Sequence, residues 1–460
     1  MGRDIKVSIL LPALNVHEYI FECLNSVVRQ SLKDIEVICI DAGSTDGTLD
    51  IIKEFMQKDD RIILIQSEKK SYGYQLNQGI IHSHGEYIGF VDTDDYIKND
   101  MYEELYDCAF HNDADVVKSD FYVFCGSDDN RIWQKISHGD VGGIYGGAFS
   151  TNDYSSGKQT TDTFIWNAIY RRSYLNENEI RFNESPGAAY QDCGFRYLVF
   201  ASVRRLYYLD GAYYCYRRDN SKSSMFSNNA FLYNIDECTY IVNRLLKSNI
   251  DKALRLFLSK KIITTVSNSY IECLFNGLNK NQLDRQLMEV EQWMRDLMED
   301  GSIVVEKEDM KFEFINNMEE FTDQCTKEAE RKRNNYREYF KQIDGCKRCF
   351  VFGAGKHGKA AFLLMNRNHL VSDIMICDND SSKWGHFIYS KEIISPDAAI
   401  ELYNPNTDCF VVASGNYVSD IYKELCCKGI SEERIVVYSL DTNPMICTSD
   451  LHMIFGEEIN

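Results

Sequence analysis

The sequence predicts an α/β fold in three parts: a strand-and-helix domain over residues 1–225, a helical linker domain over 226–345, and a smaller α/β domain over 346–460. Short apolar runs alternate with helical periodicity in the first part. The alternation gives way to helical stripes in the second and resumes at Cys346. Strand, helix, strand, helix implies a parallel sheet with its loops gathered at the carboxyl ends of the strands.

The elements follow in order. VSILLPALN reads as a strand, and Ile20, Leu24, Val27 and Val28 then recur at helical spacing. IEVICIDAG is a second strand. Ser44-Thr45-Asp46 is expected to cap the next helix, which carries Ile52 and Phe55. RIILIQS is a third strand and GEYIGFVD a fourth. In the linker, Phe231, Ile235, Cys238, Val242 and Leu245 form one helical stripe. The basic run Arg331-Lys332-Arg333 reads as a solvated helix face. In the last part CFVFGAG, DIMICDND, CFVVASGN and RIVVYSL read as four strands with helices between them.

At 460 residues the chain exceeds one ordinary core. Its formal net charge of -20 argues against a protein that tracks nucleic-acid phosphates. The first apolar run is too short for a secretory signal, and no stretch reaches the length of a membrane span. The 16 Cys are scattered, many inside apolar runs such as those of Cys39, Cys377 and Cys409. That usage suits reduced thiols in a cytoplasm, with peripheral association at the inner face of a membrane left open. The lone pair Cys346-Lys-Arg-Cys349 has no second pair or nearby His, so it reads as two thiols leading into a strand rather than as a zinc site.

The fourth strand raises the chemical question. GEYIGFVDTDDY runs from core-like residues straight into Asp92, Asp94 and Asp95. Two carboxylates about 4 Å apart repel by roughly 4 kcal/mol at an effective dielectric near 20. A divalent cation between them removes that cost, and Mg²⁺ or Mn²⁺ takes one or two carboxylates with substrate phosphates and water filling the shell. The other reading is a solvated helix N-terminus, where acids are also favoured. Asp41 ends the second strand and Asn15 follows the first, so these polar groups should converge on one crevice.

The ordered set VSILLPALN, VICIDAGSTDGT, YGYQLNQGI and GEYIGFVDTDD resembles the nucleotide-binding half of family 2 of the inverting glycosyltransferases, of GT-A type. FIWNAIYRRSYL, IRFNESPGAAYQDCGF and YYCYRRDNSKSS resemble the acceptor half of bacterial, surface-polysaccharide members. The resemblance spans about the first 225 residues. It implies that Asp41 reads the base and ribose of a nucleotide, uridine by preference, with Pro12 and Asn15 lining the same pocket. Ser44 and Asn77 lie in the matching segments and are carried over as donor contacts. Asp92 and Asp94 become the Asp-x-Asp pair that holds Mg²⁺ or Mn²⁺ at the donor diphosphate, with Asp95 behind them. Asp192 matches the family's catalytic base. Arg217, Arg218 and Ser223 fall in the loop that folds over the donor phosphates.

Three positions depart from the pattern. Ala42 stands where a second acid follows Asp41, and Gln191-Asp192 replaces Glu-Asp. Gln75-Leu76-Asn77-Gln78-Gly79 lacks the usual arginine. Phosphate charge must then be met by metal, by Lys69 or Lys70, or by the later arginines. Tyr72, Tyr74, Trp166 and Tyr190 are candidates to stack on a sugar or base.

The implied reaction joins a nucleotide-sugar donor, a UDP-sugar by preference, to a hydroxyl of a glycan or lipid-linked acceptor in one inverting displacement. Two other classes stay open. A sugar nucleotidyltransferase also uses paired acids and metal, but VSILLPALNVHEY lacks a Gly-rich basic loop. A non-catalytic nucleotide-sugar-binding or scaffold protein could keep the fold without the chemistry.

In the third part Gly353-Ala-Gly355-Lys-His-Gly358 follows a strand, and Asp378 ends the next strand at dinucleotide-binding spacing. The unit holds about one mononucleotide half and resembles Rossmann-like segments attached to some surface-polysaccharide glycosyltransferases. A structural or regulatory module is the first reading, and binding of NAD or a nucleotide-sugar the second. His357 reads as a solvent-facing turn residue.

Overall fold

The computed structural model describes residues 4–125, 131–138, 143–156, 164–188, 190–217, 220, 230–246, 250–275, 280–299, 317–367, 371–388, 391–414 and 417–438. By internal contacts the chain divides into two compact units, residues 1–124 with 134–323, and residues 125–133 with 324–460.

The first unit is built on a nine-stranded sheet. Strand β1 (Val7–Ala13), helix α1 (His17–Val28), β2 (Ile35–Asp41), α2 (Thr48–Lys58), β3 (Ile62–Gln66), α3 (Tyr72–His82) and β4 (Tyr87–Phe90) follow one another. β1 pairs in parallel with both β2 and β4, and β2 pairs in parallel with β3. All seven residues of β1 and all seven of β2 are buried, as strands covered on both faces require. This much matches the expected parallel sheet.

Beyond β4 the sheet becomes mixed, which corrects that expectation. β5 (Tyr96–Ile97), α4 (Met101–Asn112), β6 (Val116–Cys125), β7 (Ile132–Ile136), β8 (Ala168–Arg171) and β9 (Leu206–Arg217) complete it in the order β3-β2-β1-β4-β8-β6-β9-β5, with β7 paired to β6. β8 runs antiparallel to both β4 and β6, and β5 runs antiparallel to β9. Register shifts between Ser119 and Phe121 bend the β6–β9 pair, as bulges do. These strands carry polar and aromatic residues in irregular alternation, so no clean period marks them in the sequence.

Helices α5 (Thr151–Ser155), α6 (Arg172–Glu177) and α7 (Gln191–Ser202) belong to this unit. The predicted helical stripe lies on α8 (Ala230–Ile241) and the turn that follows it, where Ile235, Cys238, Val242 and Leu245 are buried. α8 packs on α7 and on α9 (Lys252–Phe275), and α10 (Lys280–Glu299) packs on both α8 and α9. The helix Met318–Ile343 follows.

The second unit holds a six-stranded sheet in the order β12-β13-β11-β10-β14-β15. Its strands are β10 (Arg348–Phe352), β11 (Asp373–Cys377), β12 (Phe387–Ile388), β13 (Lys391–Ile394), β14 (Asp408–Val412) and β15 (Ile435–Val437). The two strands that sequence reading missed, β12 and β13, are short. All pairings are parallel except β12 with β13. Alternate residues of β10 feed two separate cores, Cys349 and Val351 on one face and Phe350 and Phe352 on the other. Both faces of this sheet are therefore covered. Among the described residues no helix is long and apolar enough to cross a membrane.

Candidate active site

The carboxyl ends of β1, β2 and β4 bring the first set of polar residues together. The Asp92-Thr93-Asp94-Asp95 turn is pinned from beneath. Thr93 donates its hydroxyl to the Pro12 carbonyl at 2.8 Å, which ties the turn to the end of β1. Asp95 is buried and accepts the Tyr214 hydroxyl at 2.8 Å and the Arg217 backbone N–H at 2.7 Å. The same Tyr214 oxygen accepts the Asp92 N–H at 3.0 Å. Trp166 stacks on Tyr214 with ring centroids 4.0 Å apart and is itself buried, so it buttresses the turn.

Asp92 and Asp94 remain partly open to solvent. Each spends one oxygen on a protein donor. Asp92 Oδ1 accepts the Tyr72 hydroxyl at 2.9 Å, and Asp94 Oδ2 accepts the Asn220 amide at 2.8 Å. No second side-chain hydrogen bond reaches either carboxylate among the described residues. Burial first, and the Asp94 charge second, push the Asp92 carboxyl up to about 7. Burial also raises Asp94.

Asp192 joins them from far along the chain. It sits in the first turn of α7, whose N-cap Tyr190 has φ 59°. Burial raises its carboxyl, while Arg196 and the Cys193 N–H act against the rise. Its charge reaches both Asp92 and Tyr72 and raises each of them. Three acids of one sign therefore share a single electrostatic environment.

The loop before α7 is fastened to α3. Asn77 donates to the Phe182 carbonyl at 3.0 Å and accepts the Phe182 N–H at 2.9 Å. Tyr72 N–H donates to the Gly187 carbonyl at 2.9 Å, and Gln191 donates to that same carbonyl at 3.1 Å. A Cβ at Gly73 would lie 1.8 Å from the Asn183 carbonyl oxygen, so only glycine allows this approach. Asn77 thus clamps the two halves of the site together. Gln75, in the segment that lacks the usual arginine, donates to the Ala13 and Ile40 carbonyls.

On the nucleotide side, Asp41 is buried and accepts the Gly43 and Ser44 N–H groups at 2.8 and 3.1 Å. Asn15 has φ 55°, donates its N–H to Ser44 Oγ at 2.9 Å and accepts the Thr45 N–H at 2.9 Å. Pro12 is buried within β1. The expected cap of α2 differs in detail. Its N-cap is Gly47 at φ 98°, and Asp46 bridges the Thr48 N–H and the His17 N–H at the start of α1. One carboxylate serves two helix starts because the β1 and β2 loops lie side by side.

Arg217 ends β9 and is buried. Its guanidinium bonds Glu22 at 2.7 Å and the Asp94 carbonyl at 2.9 Å, over the rings of Tyr19 and Phe124. These bonds make it a brace for the acidic turn. Arg218 and Ser223 lie outside the described residues. Lys69 pairs with Glu184 at 2.8 Å and lies over Tyr74, while Lys70 is exposed.

Residues 8–178 match the model for glycosyl transferase family 2. Residues 8–178 thus carry a glycosyl transferase family 2 domain. Residues 345–436 match a model described as C2185-like, N-terminal. The uncharacterized glycosyltransferase EpsJ of Bacillus subtilis (strain 168) is 31% identical over 214 residues, covering 46% of this chain and 61% of that protein. Glycosyltransferase GlyG of Streptococcus pneumoniae serotype 4 is 38% identical over 125 residues, 27% of this chain and 42% of its own length. The chain thus spans less than two thirds of these relatives. S. aureus TarS 1–349, solved in complex with UDP-GlcNAc, matches with a TM-score of 0.53 at 17% identity, over 73% of this chain and 92% of that one. At that identity the likeness is one of fold, and it agrees with the GT-A type for the family 2 domain.

Tyr72, Tyr214, Asn220 and Glu22 brace this site, and no sequence motif marked them for that role. Glu237 on α8 also escaped notice. It is buried, accepts the Asn183 amide at 3.0 Å, and is pushed up to about 8 by burial.

In the second unit Gly353 has φ 118°, and a Cβ there would meet the Ala413 carbonyl oxygen at 2.3 Å. A Cβ at Gly358 would meet the Gly353 carbonyl oxygen at 1.7 Å, while Gly355 faces open space. Asp378 accepts the Ala354 N–H at 2.6 Å and pairs with Lys383 at 3.1 Å, so its carboxylate fastens the loop. His357 is largely buried, unlike the solvent-facing residue expected.

Proposed function

We propose that the chain transfers a sugar from a nucleoside-diphosphate donor, a UDP-sugar by preference, to a hydroxyl of a glycan or lipid-linked acceptor, with inversion at the anomeric carbon. The observation that carries this reading is the electrostatic influence of Asp192 on Asp92 and on its partner Tyr72, across a hundred residues of chain. The UDP-GlcNAc bound by TarS supports the choice of donor class.

The donor set suits a hard divalent cation. Asp92 and Asp94 each accept one side-chain hydrogen bond among the described residues, and oxygen ligands are what Mg²⁺ and Mn²⁺ prefer. Among the described residues no group of three or more His, Cys, Asp or Glu forms a metal site by itself, so the remaining ligands would come from the donor phosphates and water. Bound there, a cation would supply Lewis-acid stabilisation of the leaving diphosphate.

The protein's own groups do the rest. Asp192 takes the proton from the acceptor hydroxyl as that oxygen attacks the anomeric carbon. Its raised proton affinity suits a general base. Tyr72 steers Asp92, and Asn220 and Arg217 steer Asp94, so neither carboxylate must reorganise during reaction. Asp41 and the Asn15–Ser44 interlock give the nucleotide pocket a fixed rim. In the second unit the glycine loop is a packing device first, because Asp378 is already engaged with it.

A panel of UDP- and other nucleotide-sugars, with and without Mg²⁺ or Mn²⁺, tests the reading. Metal-dependent release of nucleoside diphosphate supports a transferase. Release of pyrophosphate would identify a nucleotidyltransferase, and binding without turnover a scaffold.

A further inference from the structure

The Cys346-Lys-Arg-Cys349 pair gains a third member from a distant strand. Cys349 on β10 is the register partner of Cys409 on the parallel neighbour β14, and their sulfurs lie 3.0 Å apart. Cys346 lies three residues before Cys349 and belongs to the same core cluster as both. All three are buried thiols of one core cluster, with Cys346 at 7% exposure and the other two at 0%. The Arg434 guanidinium lies 3.8 Å from the Cys346 sulfur. Facing residues on adjacent strands sit about 4.8 Å apart, within the roughly 4.4–6.8 Å window of Cα separations that a disulfide spans.

We propose that Cys346, Cys349 and Cys409 form a thiol relay that accepts a two-electron oxidant of the hydroperoxide class and stores the oxidation as a disulfide between β10 and β14. The division of labour follows from the surroundings. The neighbouring Cys349 and Cys409 thiols, with the Arg434 charge, hold the Cys346 thiol below its ordinary range. The same contacts, with burial, raise Cys349 and Cys409, so these two keep their protons. The thiolate is the nucleophile in such chemistry.

The relay balances. The Cys346 thiolate attacks one oxygen of hydrogen peroxide, the O–O bond breaks, and a sulfenic acid and hydroxide result. Hydroxide takes the Cys349 proton to give water. The Cys349 thiolate then attacks the Cys346 sulfur, forming the first disulfide and expelling a second hydroxide. That hydroxide takes the Cys409 proton, giving the second water. The Cys409 thiolate attacks the Cys349 sulfur, the Cys349–Cys409 bond forms, and Cys346 leaves as the thiolate it began as. Two thiols are oxidised and one peroxide is reduced to two waters. A two-thiol site would stop at the first disulfide. The third thiol moves the bond into the sheet and frees the reactive sulfur.

The test uses the full chain. Reduced protein is exposed to hydrogen peroxide, quenched by alkylation, digested without reductant and read by mass spectrometry. A peptide pair joining Cys349 to Cys409 is expected. Cys346→Ser should slow its formation at least ~10-fold, and Arg434→Gln should slow it about tenfold at neutral pH, with recovery at alkaline pH as the thiol ionises unaided. Arg434 is partly exposed, so the second variant keeps the test sound if Cys346→Ser folds poorly. Two results would overturn the proposal. One is that all three thiols remain alkylatable while the exposed Cys427 is oxidised. The other is a folded Cys346→Ser protein that forms the Cys349–Cys409 bond at the wild-type rate.

Discussion

Asp92→Asn isolates the electrostatic cost of the acidic pair. The Asp92 carboxyl is pushed up to about 7 by burial, then by Asp94 and Asp192. An unfolded Asp titrates near 3.9, so the shift is about 3 units, or about 4 kcal/mol at ~1.4 kcal/mol per unit. Because Asp92 is partly open to solvent, screening reduces this to about 2 kcal/mol. The sign follows from proton linkage. A raised folded value means that the native state holds the proton more tightly. Below about pH 4 both states are protonated and nothing is lost. Stability then falls as pH rises from about 4 to about 7. Asparagine carries no charge, and its carbonyl can still accept the Tyr72 hydroxyl. In chelator at about pH 8 the variant should therefore be more stable than wild type by about 2 kcal/mol, and the gap should close towards pH 4. Mg²⁺ or Mn²⁺ should reverse the order, because only the wild type gains a full ligand pair. Denaturant unfolding of both proteins across this range, with and without metal, measures the effect. A stability difference that ignores pH, or a variant less stable than wild type in chelator, would refute the reasoning.

Asp94→Ala should abolish transfer and weaken donor binding in Mn²⁺, and undiminished turnover would remove Asp94 from the metal site. Asp192→Asn should leave donor affinity nearly unchanged while lowering the transfer rate ~10²-fold or more, as loss of a general base does. Collapse of donor affinity with normal residual turnover would make Asp192 a donor ligand instead. Gly73→Ala must displace the Asn183 carbonyl from a position 1.8 Å from the new Cβ, so a loss of about 2 kcal/mol or more in thermal unfolding is expected. A neutral result would mean that the loop before α7 yields freely.

The apolar runs of β1, β2 and β4 could be read directly because strands buried on both faces need continuous hydrophobic residues. The same rule exposed β10, β11 and β14, whose residues fill two cores by turns. Asp92 and Asp94 stood out because charge at the end of such a run violates the pattern. Asp192 carried no local signal, and only the ordered resemblance singled it out.

Tertiary structure decided what local pattern does not encode. The sheet turns mixed after β4, because pairing partners of β6, β8 and β9 are set by distant neighbours and not by their own period. Arg217 was expected at the donor phosphates, yet its side chain braces the Asp94 backbone and pairs with Glu22, nearly two hundred residues away. The CxxC looked incomplete because its third thiol, Cys409, is supplied by strand pairing sixty residues on. A sequence determines which residues must leave water. Which polar groups then meet depends on how strands order themselves in the sheet, and that is settled only when the whole core packs.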